Sequence, residues 1–328
     1  MLLVRSASRL LAAITLSLGT VSLASAADLP TKAPVPVVGA SVPLDVHGGF
    51  DFTLASNRVT GGGLLLYPNR GVLDQVNVGL GLDIYKDPMG FINLVTVYGG
   101  VWNEFWSDPP PGGRVWQEMD WWVGMSTVFA KYWKLDVQHV QFNFPNGIPT
   151  AYNYVFTLGY DDSGWGLPFT FNPYVSLFYN AAGGSTVVLG KTGNTYRVTL
   201  GVVPTVNMKP IGIPQLTFFF PTSVVVGPSD FWNRNDGTTN LCGTPQTLPC
   251  ALSNVGFVTT GIQGKYDLTG IIPKRLGNWY VKAAGHYYRI TNDALLAAQT
   301  PVGTGAVASF AEVKRDIFLA TSSVGFSF

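Results

Sequence analysis

The sequence predicts an all-β protein, a transmembrane antiparallel up-and-down β-barrel of about 12 strands over residues 44–328, and three observations predict it. Apolar residues recur at every second position in segment after segment, the period of a strand with one greasy and one wet face. The gaps between segments alternate between short and long, the wiring of a barrel with tight turns at one end and loops at the other. Charged residues make up only 12% of the chain and aromatic residues 13%, a balance suited to an apolar neighbour.

The elements follow in order. Residues 1–26 hold Arg5 and Arg9, an apolar stretch from Leu10 to Leu18, and then Ala24, Ser25 and Ala26, the layout of a cleaved secretory signal peptide. The mature chain is expected to begin at Ala27, with the Pro-rich, aperiodic residues 27–43 forming an extended periplasmic linker. Beyond the signal there is no uncharged apolar run of the roughly 18–20 residues that a membrane-spanning helix requires.

Alternation begins at Leu44. Leu44, Val46, Phe50, Phe52 and Leu54 are apolar, with Asp45, His47, Asp51 and Thr53 on the opposite parity. The pattern returns over 76–84 around Asn77 and Asp83, over 115–129 around Glu118 and Asp120, and over 152–160 around Asn153 and Thr157. Later it flanks Arg197, and then Lys265 and Asp267. Two segments are less regular: 91–106 is apolar on both parities, and 132–145 changes phase near His139, which predicts a bulge. Strands are expected near 44–55, 72–85, 91–106, 115–130, 132–145, 151–160, 167–180, 195–206, 213–226, 255–268, 278–291 and 314–328. Each is long enough for the roughly 9–11 tilted residues that cross a bilayer, and an even number puts both ends of the sheet on one side.

The long connections include "NRVTGGGLLLYPNRG", residues 227–254 and residues 292–313; "KDPMG", the junction at Lys131, "DDSGWG" and "NMKPIGI" are among the short ones. "GGGLLLYPNRG" lacks the Gly-Lys-Ser/Thr ending of a phosphate cradle and reads as a flexible outer loop able to fold inward as a constriction. Cys242 and Cys250 lie close together in a polar loop of an exported chain, which points to a local disulfide; no His or further Cys stands near them to complete a metal site.

In a barrel the apolar parity faces lipid and the polar parity the lumen, because a Lys or Arg on the lipid face near midplane costs about 2–4 kcal/mol. The lumen-facing set is then Asp45, His47, Asp51, Asn77, Asp83, Glu118, Asp120, Lys134, Asp136, Gln138, Arg197, Lys265, Asp267, Lys282 and His286. Trp102, Trp106, Trp116, Trp121, Trp133 and Trp279 gather toward strand ends, where aromatic girdles sit. Taking Arg5 and Arg9 from the 20 basic residues leaves 18 against 19 acidic ones, and no basic face invites nucleic acid.

The last strand resembles those of Gram-negative outer-membrane β-barrel proteins, which end in a signal read by the barrel-assembly machinery: a polar residue, a Gly, then two aromatics at alternate positions. Thr321, Phe326 and Phe328 match that pattern, and Ser323 stands where Gly is usual. The "ADLP" at the expected mature start is similar to alphaproteobacterial members, and the architecture resembles TorF-type porins. The resemblance implies an outer-membrane location, contact with lipid and lipopolysaccharide, and no cofactor.

Outer-membrane phospholipases place a Ser two residues after a His, on the same strand face. Here Gln141 follows His139, Gly49 follows His47 and Tyr288 follows His286, so that nucleophile is missing and no catalytic residue is assigned. Asp161 and Asp162 are adjacent and read as a turn rather than a protease pair. The sequence points to a monomeric porin-like channel passing small solutes by passive diffusion. A non-conducting barrel acting in structure or adhesion through its outer loops is the alternative, and an outer-membrane lipid hydrolase the third.

Overall fold

A computed structural model describes residues 44–63, 65–66, 71–109, 114–145, 150–183, 193–232, 253–298 and 314–328. The signal, the linker and the Cys242–Cys250 pair lie outside the described residues. The first strands are β1 (Asp45–Ala55), β2 (Arg58–Val59), β3 (Leu65–Leu66), β4 (Leu73–Lys86), β5 (Ile92–Trp106) and β6 (Trp116–Phe129). Next come β7 (Trp133–Asn143), β8 (Ala151–Tyr160), β9 (Tyr174–Gly183), β10 (Thr195–Val202) and β11 (Thr205–Asn207). The chain continues through β12 (Leu216–Phe219), β13 (Thr222–Val226), β14 (Val255–Asp267), β15 (Asn278–Ile290) and β16 (Asp316–Ser327).

Apart from the small β2–β3 hairpin, these strands form one antiparallel meander, and β16 closes it on β1 with Phe50 opposite Phe326 and Thr53 opposite Ser323. Reciprocal backbone hydrogen bonds between Gly48 and Phe328, 3.2 and 3.1 Å, extend the seam to the rim. The wall is a closed 12-stranded barrel, because β10 with β11 and β12 with β13 are two lengths of one stave each. Pro204 and Pro221 make those breaks, since proline has no N–H for the ladder. The breaks sit side by side, with Phe220 N–H donating to the Pro204 carbonyl at 2.8 Å.

The two faces invert the logic of a water-soluble core. Leu80 (57% exposed), Val123 (52%) and Phe318 (71%) point outward, whereas Glu104, Glu118 and Asp120 are at most 4% exposed inside. An outer wall of alternate aliphatic side chains is stable against lipid rather than water. Trp133 against Tyr160 (5.0 Å) and Trp279 against Phe326 (5.2 Å) mark the rim at the short-turn end, and Phe105 against Trp116 (6.4 Å) the rim at the long-loop end. No described helix is long and apolar enough to cross a membrane.

Four expectations need correction. The seventh stave begins at Tyr174 instead of 167: residues 161–173 make a wide turn in which Asp162 accepts from the N–H groups of Phe171 (2.7 Å) and Asn172 (2.9 Å). β7 has no bulge, since its pairing with β6 and β8 is continuous; the phase change arises because His139 lies on the outer face, packed on Trp121 (5.3 Å) and Tyr154 (5.1 Å). Trp102 and Trp106 are buried inside the barrel and belong to no girdle. β5 has one inner parity, with Tyr98, Trp102 and Glu104 paired to inward residues of β6.

Candidate functional site: the barrel interior

At the short-turn end, His47 and Asp83 face each other from β1 and β4, with Nε2 3.2 Å from Asp83 Oδ1, and Thr96 donates its hydroxyl to the same oxygen at 2.6 Å. Asp45, at the rim, is exposed. One step deeper, Asp51 accepts from Lys282 Nζ at 2.6 Å, Tyr280 Oη at 2.9 Å and Thr53 Oγ1 at 2.7 Å. The Tyr280 ring also carries Lys265 Nζ at 4.6 Å and Lys282 Nζ at 4.9 Å from its centroid. This crowding needs Gly325 between β1 and β15, because a methyl there would stand 2.5 Å from Tyr280 Oη. Asp267, on the parity of Lys265 and opposite Tyr280, accepts from the Thr269 N–H at 2.8 Å where β14 ends.

Around the wall, Tyr98 donates to Asp136, next to Lys134 and Gln138 on β7. Arg197 lies over the Phe178 ring at 4.7 Å and donates to Thr199 Oγ1 at 3.2 Å. Asn77 Oδ1 and His286 Nε2 are buried without a hydrogen-bond partner. The fold therefore joins Asp51 with Lys282 and His47 with Asp83, and leaves Arg197 and His286 in separate surroundings.

Toward the long-loop end stands a cluster with two members absent from the expected set. Arg58, in β2, bridges Glu104 Oε1 at 2.7 Å and Glu118 Oε2 through one guanidinium nitrogen, and its Cζ lies 5.1 Å from the Trp102 ring. Glu104 also accepts from Trp106 Nε1 at 2.8 Å and Gln75 Nε2 at 2.9 Å. Burial opposes the charge on Arg58, but the two carboxylates more than offset it and hold its pKa above the usual range. Glu104 had a signal in the sequence: it is the one acid of a segment otherwise apolar on both parities, and so fixes which parity is inside. Arg58 had none, because a loop residue's partner across the lumen leaves no periodic mark.

The hairpin that carries Arg58 crosses the lumen. Arg58 is held by β5 and β6, whereas a methyl on Gly61 would stand 2.7 Å from Arg197 Nη2 of β10, and one on Gly63 2.7 Å from Phe257 of β14. In strand order these walls lie across the ring from each other. Val59 and Leu65 of the hairpin join an apolar cluster with Phe257 and Leu319 of the wall. Phe231 and Trp232 of the short helix Ser229–Trp232 and Leu295 of Asp293–Ala298 complete it.

No family model and no curated protein matches the sequence. Among solved structures, the transport unit of the autotransporter AIDA-I from Escherichia coli is 12% identical over 86% of this chain and 90% of that chain, with a TM-score of 0.40. The translocator domain of autotransporter NalP from Neisseria meningitidis is 12% identical, covering 88% and 89% with a TM-score of 0.34. The outer membrane protein opdK from Pseudomonas aeruginosa is 10% identical, covering 86% and 98% with a TM-score of 0.29. Likenesses this weak carry no argument. Strand pairing and the two opposed faces define the class: a transmembrane β-barrel with a loop folded inside.

Proposed function

We propose that the protein is an outer-membrane channel of narrow bore, passing small solutes by passive diffusion and catalysing no reaction. The observation that carries this reading is the hairpin of residues 58–66, which crosses a lumen lined by charged side chains and so sets its constriction. A 12-stranded barrel lies between packed eight-stranded barrels and open sixteen-stranded porins, which suits a small bore. The resemblance carried by Thr321, Phe326 and Phe328 supports the outer membrane, with the short-turn end toward the periplasm and β16 offered to the assembly machinery.

The apolar cluster of Phe231, Trp232 and Leu295 favours a second reading, a barrel closed at its outer mouth that serves envelope structure or adhesion. Planar-bilayer recording separates them. Discrete, small conductance steps are expected, rising several-fold when residues 58–66 are replaced by a short turn. A folded protein that stays insulating with and without the hairpin would overturn the channel reading.

A further inference from the structure

Glu104 and Glu118 face each other across β5 and β6, and Asp120 stands one step along beside Trp102. All three carboxyl groups are buried, yet among the described residues Arg58 is the one cation paired with them, through Glu104 and Glu118. Glu104 has partners on both oxygens. Asp120 does not: its buried Oδ1 has no hydrogen-bond partner. Three buried carboxyl groups thus gather around one guanidinium, and a buried charge left uncompensated is strongly unfavourable. That cation comes from outside the wall, on a hairpin whose own ladder is two residue pairs long, Arg58 with Leu66 and Val59 with Leu65.

We propose that Glu104, Glu118 and Asp120 form a binding site for a small organic cation with a guanidinium head, and that Arg58 occupies it as a tethered substitute for that ligand. The chemistry is matched: a guanidinium is planar, always charged, weakly hydrated and rich in N–H donors for carboxylates, and the Trp102 ring supplies an aromatic face. The free Asp120 oxygen is an acceptor that Arg58 leaves unused. A solute guanidinium taking the wall from Arg58 releases the hairpin from β5 and β6 and widens the bore, so the solute admits itself. This last consequence rests on the channel reading; the binding site does not.

The test titrates guanidinium chloride at low millimolar concentration and constant ionic strength onto the full chain in detergent micelles. Tetramethylammonium chloride, which has no N–H donor, is the control. Calorimetry and Trp fluorescence read the binding. Arg58→Ala vacates the site and is expected to bind guanidinium saturably, about tenfold more tightly than the unaltered protein. Adding Asp120→Asn is expected to remove most of that gain, and tetramethylammonium to give no saturable signal. Binding indistinguishable between the two cations, or unchanged by Asp120→Asn, overturns the proposal. If Arg58→Ala does not fold alone, refolding read by heat-dependent gel mobility decides: recovery with guanidinium and not with tetramethylammonium supports the site, and equal failure in both overturns it. Saturable binding to a protein that never conducts KCl would sink the channel reading and leave the site standing; conduction without binding would do the reverse.

Discussion

Replacing Lys282 by Met should destabilise the barrel by about 3 kcal/mol, through the carboxylate it leaves behind. Lys282 Nζ and Asp51 Oδ2 are 2.6 Å apart, with side chains only 15% and 16% exposed. At an effective dielectric of about 20 their gross attraction is roughly 6 kcal/mol, opposed by desolvation of several kcal/mol per ion, so the intact pair is worth little net. Without Lys282 the Asp51 carboxylate stays desolvated, held by the Tyr280 and Thr53 hydroxyls, with Lys265 Nζ 4.6 Å from the centroid of the Tyr280 ring. The double variant Asp51→Asn/Lys282→Met removes the stranded charge and should recover all but about 1 kcal/mol. Reversible urea unfolding in micelles, followed by Trp fluorescence across the four-protein cycle, measures both. A loss below about 0.5 kcal/mol in Lys282→Met, or strict additivity in the double variant, would refute the reasoning.

Three further substitutions follow from the same wall. Gly325→Ala places a methyl 2.5 Å from Tyr280 Oη and 2.6 Å from the Phe50 carbonyl oxygen, and should cost about 1–3 kcal/mol, seen as a lower fraction of the fast-migrating folded form on unheated gels. Gly285→Ala, with nothing within 4 Å of the added methyl, should stay within about 0.5 kcal/mol and serves as its control. His139→Leu removes a buried, unpartnered Nδ1 from the outer wall and should stabilise the protein by about 1 kcal/mol in the same urea assay, while a loss would mean that the imidazole has a partner.

Most of the wall was legible because its physics is local. A strand buried in lipid on one side must alternate, so β1, β4, β6 and β14 could be read residue by residue, and Asp51, Asp83 and Lys282 placed on the wet parity. The reading weakened where alternation carried less information. β5 presents Trp102, Glu104 and Trp106 to the interior, so its inner face looked as apolar as its outer one. On β7, His139 sits on the outer face among aromatic rings, and parity alone suggested a bulge in its place. The Arg58–Glu104 contact spans 46 residues and joins a loop to a wall, a relation that no short-range pattern encodes.

The hairpin in the lumen also puts events in order of time. Arg58 touches β5 and β6, close by in sequence, but Gly61 and Gly63 approach β10 and β14, which reach them only when the sheet has curled and β16 has met β1. A flat sheet with every other strand pairing in place would lack those approaches. Seating of the hairpin is therefore a record of ring closure, and Trp102, lying beneath Arg58, is positioned to report that final step separately from the earlier growth of the sheet.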